Sequence, residues 1–290
     1  MRTTGAIDLA YVRIGAAEPD ATARFLSEVI GLQPVAGKGG DRAFRSDDRY
    51  HTVAVETIAG STTLGVEMAD LEDLERAEAL LRERGFEARE ADAVECERRF
   101  VSRALVTKDA SGNNIDLVLR PARSGRRYFG TRDAGILGLQ SVGLRTTDLA
   151  RDVEFWRGVL GARVSDRVGD IAYLRLDSLH HRVALYPSAR NGLLYATFAV
   201  ESLDQIMQNF YHLQERQVRV VHGPGREKAS GQSFVRFTDP SGQMFAFGCD
   251  MAQVDETKHR PRQFSFETHS LCAWGSECRD FPELQTSQAL

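Results

Sequence analysis

Residues 150–165, ARDVEFWRGVLGARVS, decide how this chain is read, because residues 20–35, DATARFLSEVIGLQPV, are their counterpart. A shift of 130 residues carries Phe25 onto Phe155 and Gly31 onto Gly161. The same shift carries His51 of RYHTVAV onto His181 of HHRVALY. It also carries Asp109 and Gly112 of DASGNNIDLVL onto Asp239 and Gly242 of DPSGQMFAFGC. One constant offset that aligns a helix, a strand and a turn marks an internal duplication. The halves are placed at 1–122 and 135–250, joined by the basic stretch RSGRRYFGTRDAG and followed by a tail over 251–290.

Outward from those stretches, each half divides again. The β-rich runs IDLAYVRIG and LQSVGLRTT each lead into a helix that ends at a glycine, where a left-handed cap is expected. AYLRLD and HRVALYP alternate apolar and polar residues as half-buried strands do. LYATFAVE opens a further unit, and SLDQIMQNFYHLQERQV has helical spacing at Leu203, Ile206, Phe210 and Leu213. In FVRFTDPSGQMFAFG two strands flank Asp-Pro-Ser-Gly, a type I turn with Pro second and Gly fourth. The predicted class is α+β: four βαβββ modules in two tandem domains, each with a curled mixed sheet around a cavity where a ligand would sit.

Composition narrows the function. The 290 residues, 42% hydrophobic and 27% charged, exclude wholesale disorder. Thirty-seven basic against 41 acidic residues leave a net charge of −4, which points away from nucleic acid and from anionic membrane as partners. Apolar runs are far too short for a membrane span, and Asp8, Glu18 and Asp20 interrupt the start where a signal peptide would be apolar. A soluble cytoplasmic protein is expected, with Cys96, Cys249, Cys272 and Cys278 as free thiols, although Cys272 and Cys278 could pair.

The ordered motifs GILGLQSVGLRTTDLARDVEFWRGVLG, HHRVALYP, LLYATFAVESLD and FTDPSGQMFAF, with HRPRQFSFETHSLCAWGS in the tail, resemble the vicinal-oxygen-chelate superfamily. Within it the chain resembles the two-domain type I extradiol dioxygenases, which cleave catechols such as 2,3-dihydroxybiphenyl. Their chemistry needs Fe(II), or sometimes Mn(II), held by two His and one carboxylate. Carried over position by position, the first ligand His falls on Ser141 and the second on Tyr195. The carboxylate, seven residues after the turn Asp, falls on Ala246. The family's acid/base His matches His181, its active-site Tyr falls on Arg236, and another active-site His falls near Glu227. In the N-terminal half the ligand equivalents are Tyr11, a position near Gly65, and Asp116.

Each residue has an ordinary reading beside the functional one. His181 is either a strand histidine bonded to backbone or a proton-transfer group. His180, its neighbour, is expected to point to the opposite face as a surface or packing residue. Tyr195 is a core aromatic or a donor to a substrate oxygen. Arg236 is an exposed strand arginine or, facing the cavity, a fixed cation for a carboxylate or enolate. Ser141 and Ala246 would enlarge the pocket, Glu227 would line it, and GPGRE is expected as a loop over its mouth. His269, Cys272 and Cys278 form a weak metal signal in the tail.

Three functions follow. The leading expectation is a metal-independent isomerase, lyase or hydrolase with no cofactor, acting on a small phenolic, enolic or carboxylated aromatic through His181, Tyr195 and Arg236. The first alternative is an Fe(II) extradiol dioxygenase whose ligands lie elsewhere than this mapping puts them. His180, His181, His212 and His222 are the histidines nearest the C-terminal pocket in sequence, but their spacing offers no two-His, one-carboxylate set. The second is a non-catalytic protein that binds a small aromatic, or a partner subunit. Relatives often form dimers or rings, which makes a homo-oligomer an analogy.

Overall fold

A computed structural model describes residues 5–58 and 60–286. The first four residues of the N-terminal half and the last four of the tail lie outside the described residues. The first sheet has eight strands: Ala6–Gly15 (β1), Gln33–Val35 (β2), Arg42–Arg45 (β3), Val53–Glu56 (β4), Thr62–Met68 (β5), Ala88–Glu90 (β6), Arg103–Lys108 (β7) and Asn114–Leu119 (β8). Their order is β2-β3-β4-β1-β5-β8-β7-β6. The second sheet has nine: Ile136–Thr146 (β9), Arg163–Val168 (β10), Ile171–Arg175 (β11), Val183–Pro187 (β12), Gly192–Val200 (β13), Val220–Arg226 (β14), Ser233–Thr238 (β15), Met244–Cys249 (β16) and Arg262–Phe264 (β17).

Read from β10 to β14, the second sheet repeats the first strand for strand, and β17 from the tail is added at the β10 edge. The repeat holds to the residue. Val12 faces Val53 in the parallel pair β1–β4, and Val142 faces Val183 in β9–β12. Two mixed sheets built from four βαβββ modules are the architecture the duplication predicts.

The helices are Pro19–Arg24 (α1), Leu71–Glu83 (α2), Ala93–Arg99 (α3), Leu149–Glu154 (α4), Leu203–Glu215 (α5) and Thr268–Leu271 (α6). Helices α1 and α4 each run on into a wider π-helical turn, Phe25–Ile30 and Phe155–Val159. Gly31 (φ 99°) and Gly161 (φ 73°) follow these turns in the left-handed region that favours glycine. The side chains of Asp70 and Ser202 cap α2 and α5 by accepting from the backbone N–H three residues on.

Strand alternation sorts the side chains. Val142, Leu144, Ala196, Phe198, Val235, Phe237, Phe245 and Phe247 belong to a core shared with the helices and with the first sheet. The halves interlock through that core. Phe25 packs near Phe237 and Phe245 at ring distances of 6.1 and 6.4 Å, and Phe155 meets Phe86 edge-on at 5.2 Å. Truncating a buried phenylalanine of this kind costs about 3–5 kcal/mol. Asp239, read from sequence as turn chemistry, also accepts a hydrogen bond from Thr22 Oγ1 at 2.6 Å and so ties α1 to the opposite half.

Two local expectations need correction. GPGRE does not form a free loop, because Val220–Arg226 is strand β14, paired with β15. Register shifts around His222 let Gly223 (φ 97°) and Pro224 sit within the strand without breaking it. His180 and His181 do not alternate, because β12 starts only at Val183. They lie in the preceding loop, and both are buried.

Among the described residues no helix is long and apolar enough to cross a membrane. The four cysteines are free and buried.

Candidate functional site

One rung of the second sheet gathers most of the singled-out residues. Ser141 faces Thr197, Thr197 faces Ala246, Ala246 faces Arg236, and Arg236 faces His222, across β9, β13, β16, β15 and β14. Directly paired residues project to one face, and here that face is the inner one, away from the shared core. Tyr195, two residues before Thr197, shares it. Its ring lies over Gly143, where an added Cβ would come within 2.5 Å of the ring.

The inner side of this curled sheet is aromatic and charged at once. Tyr173, Tyr186 and Tyr195 form one buried cluster, and the hydroxyls of Tyr186 and Tyr195 are 3.0 Å apart. Burial pushes all three phenols well above their usual pKa, so they stay neutral. Arg236, 3% exposed, donates through Nη2 to Glu227 at 2.5 Å and through Nη1 to His222 Nδ1 at 3.0 Å. Its guanidinium lies 4.0 Å from the Phe234 ring centroid and 5.0 Å from that of Tyr195. Burial works against the Arg236 charge, but Glu227 and the neighbouring tyrosines together outweigh it and keep the group protonated. Burial, reinforced by Arg236, pulls His222 down to about 3.

His181 stands at the edge of this cluster with its ring 4.9 Å from that of Tyr173. Burial first, then the neighbouring His180 and Arg236, holds its pKa well below the usual histidine value, so the imidazole is neutral. Ser141 Oγ, His181 Nε2 and Arg236 Nε are buried and have no hydrogen-bond partner among the described residues. The tail packs against this cluster. Leu271, Cys278 and Leu284 join the tyrosine cluster. Glu283 accepts from Arg145 Nε at 2.7 Å and from Ser188 Oγ at 2.8 Å.

The sequence reading singled out Ser141, Tyr195, Arg236, Ala246 and Glu227, which lie on the inner side of one curled sheet, and His181 beside it. It passed over Tyr173 and Tyr186, which the same strand alternation in AYLRLD and HRVALYP could have found. It also passed over Asp166 and Glu283, whose partners are distant in sequence and leave no local signal.

The fold family implies a divalent metal, and the three ligand positions can be tested for one. Serine, a phenol kept neutral by burial, and alanine do not make a donor set for Fe(II). Nor do the described residues bring three or more His, Cys, Asp or Glu together where an ion could sit. A metal in this chain would draw ligands from groups other than Ser141, Tyr195 and Ala246.

This strand order, doubled within one chain, defines the two-domain vicinal-oxygen-chelate fold of the type I extradiol dioxygenases. Residues 138–247 match the Glyoxalase/Bleomycin resistance protein/Dioxygenase superfamily. An iron-dependent extradiol dioxygenase of Rhodococcus jostii (strain RHA1) is 26% identical over 296 residues, spanning 93% of this chain and 96% of the relative. The crystal structure of BphC, a halotolerant catechol dioxygenase, superimposes with a TM-score of 0.88 at 18% identity, covering 97% of this chain and 98% of that one. A Mn(II)-bound glyoxalase from Novosphingobium aromaticivorans gives a TM-score of 0.84 at 22% identity, covering 93% and 91%.

These likenesses overturn the leading expectation. A metal-independent isomerase, lyase or hydrolase finds no support among relatives named as dioxygenases. The expectation of no cofactor is likewise corrected by a relative named as iron-dependent, which points to a metal.

Proposed function

We propose that the protein takes a small aromatic diol into its C-terminal barrel and works with the extradiol ring-cleaving dioxygenases to which it is similar. The observation that carries this reading is the set of unsatisfied polar atoms there. A hydroxyl at Ser141, a bare ring nitrogen at His181 and an N–H at Arg236 are buried without partners, at a cost of about 1–3 kcal/mol each. A ligand with two adjacent hydroxyls offers both donors and acceptors to such a set, and Tyr173, Tyr186 and Tyr195 offer ring faces and edges to its aromatic body. Arg236, already neutralised by Glu227, would orient the diol oxygens through Nε without adding net charge to the barrel. His181, neutral and buried, would accept a hydroxyl proton at Nε2.

Fe(II)-dependent ring cleavage is the reaction supported by collinearity with the Rhodococcus enzyme over nearly the whole of both chains. A second reading, binding without turnover or service as a partner subunit, is favoured by Ser141, Tyr195 and Ala246 at the family's ligand positions. Anaerobic loading with Fe(II), desalting, metal analysis and oxygen uptake with biphenyl-2,3-diol separate the two. Stoichiometric iron with one O2 consumed per diol supports cleavage. Diol binding without oxygen uptake supports the second reading, and absence of both iron and diol binding overturns the proposal.

A further inference from the structure

His181 does not stand alone. Its Nδ1 lies 3.2 Å from Nδ1 of His180, and Nε2 of His180 lies 2.9 Å from Oδ2 of Asp166. All three residues are buried at 1% exposure or less. Asp166 is the anchor. Burial alone would raise its pKa, but hydrogen bonds from His180 and Arg262 outweigh that and hold it at about 2, leaving a carboxylate that can only accept. Arg262 donates to it from its backbone N–H at 2.7 Å and from Nη2 at 2.6 Å, while His259 Nε2 stands 4.0 Å away and is engaged by the Ser165 carbonyl at 2.8 Å.

Proton counting along this line leaves one arrangement for neutral rings. Asp166 accepts, so His180 carries its proton on Nε2 and presents a bare Nδ1. That Nδ1 must then accept, so His181 carries its proton on Nδ1 and its Nε2 is left bare. The orphaned atom found in the barrel is this same Nε2.

We infer that Asp166 and His180 are positioning residues, a hydrogen-bonded relay that fixes the tautomer and orientation of His181 so that Nε2 faces the aromatic-diol site as an acceptor. The inference rests on the reading of the C-terminal barrel as that site. The relay is built from loop and edge elements: Asp166 from β10, both histidines from the loop before β12, and Arg262 from β17 of the tail. The tail strand therefore anchors a barrel group through two intermediaries. Around His181 the remaining facing groups are Tyr173, Arg182 and Arg236, and the hydrogen bond that its Nδ1 makes is the one to His180.

The test is long-range proton–nitrogen correlation spectroscopy on the full chain labelled with 15N-histidine, near neutral pH. His181 is assigned by the signals lost in His181→Gln. The expected spectrum of the unaltered protein has a protonated Nδ1 and a bare Nε2 for His181, and a protonated Nε2 for His180. In His180→Phe the relay acceptor is gone, and the His181 pattern shifts toward the Nε2-protonated form that free imidazole prefers. A protonated Nε2 on His181 in the unaltered protein overturns the relay without reference to any variant. So does an unchanged His181 pattern in a folded His180→Phe. Anaerobic diol affinity is the separate readout. His180→Phe weakens it about tenfold, the worth of one hydrogen bond, and adding His181→Gln weakens it little further. If the spectrum is as expected but the unaltered protein binds no diol, the relay stands and the functional reading fails.

Discussion

The two halves solve the same packing problem with the same parts in exchanged places. In the N-terminal barrel the tyrosine stands on the first strand and the glycine on the partner strand: Tyr11 lies over Gly65, where a Cβ would come within 2.6 Å of the ring. In the C-terminal barrel the tyrosine is on the partner strand and the glycine on the first, with Tyr195 over Gly143. What each tyrosine meets then differs. Tyr11 donates to Asp116 Oδ2 at 2.7 Å, and the same oxygen accepts from Arg99 at 2.7 Å, so that half pairs its tyrosine with a charged group beside the stacked His51 ring. Tyr195 meets a second phenol, and the position of Asp116 is taken by Ala246. The buried charge has moved one strand outward to Arg236. Both halves keep a buried histidine whose Nε2 has no hydrogen-bond partner among the described residues, at His51 and His181, but only His181 is backed by a second histidine and a carboxylate. A shared scaffold thus meets its tyrosine with a carboxylate and an arginine in one half and with a second phenol in the other. Both halves keep unmet buried polar atoms, Asp116 Oδ1 in the first and Ser141 Oγ and Arg236 Nε in the second.

The contrast is broken most severely at the charge pairs. Removing Glu227 leaves Arg236 charged and stranded at 3% exposure, and Glu227→Ala should lower stability by about 3–5 kcal/mol in urea titration. Asp116→Ala should cost less, about 1–3 kcal/mol, because the partly exposed Arg99 side chain can turn to water. Equal losses would show that the two networks are energetically alike.

Next come the glycines. Neither Gly65 nor Gly143 has a positive φ, so alanine is harmful there only by crowding a ring. Gly65→Ala and Gly143→Ala should each cost about 1–3 kcal/mol. Tyr195→Ala should cost less in the Gly143→Ala background than in the parent, because it also relieves the crowding. An equal cost in both backgrounds would mean that Tyr195 is not what Gly143 makes room for.

The smallest effect is one of pH. Burial first, and then the nearby Arg13, lowers His51 to about 3. A histidine with a depressed folded pKa binds its proton more readily in the unfolded chain, so its contribution is complete above about pH 6.5 and is lost as pH falls toward 3. His51→Gln should remove that group's share of the acid loss, up to about 1.4 kcal/mol per pH unit. His181→Gln should act in the same direction. Parallel stability–pH curves for variant and parent would contradict the neutral, buried state of these rings.

Much of this was legible before the structure. The offset of 130 residues carried strand order as well as motifs, because duplicated strands keep their register. Alternation in FVRFT correctly turned Arg236 away from Val235 and Phe237. The histidine pair was misread because alternation was applied to residues that precede the strand. The Asp166–His180 contact bridges a loop, and the Arg145–Glu283 pair joins residues 138 positions apart; neither leaves a periodic trace. The functional expectation failed for a different reason. Three substituted ligand positions were weighed as decisive, whereas collinearity with an iron-dependent dioxygenase extends along nearly the whole chain.

The central claim, that the C-terminal barrel receives a small aromatic diol, is tested most directly by anaerobic calorimetric titration of Fe(II)-treated protein with biphenyl-2,3-diol. The account predicts one diol per chain, with binding weakened by His181→Gln and untouched by His51→Gln. No heat of binding, or equal sensitivity to the two substitutions, would contradict it.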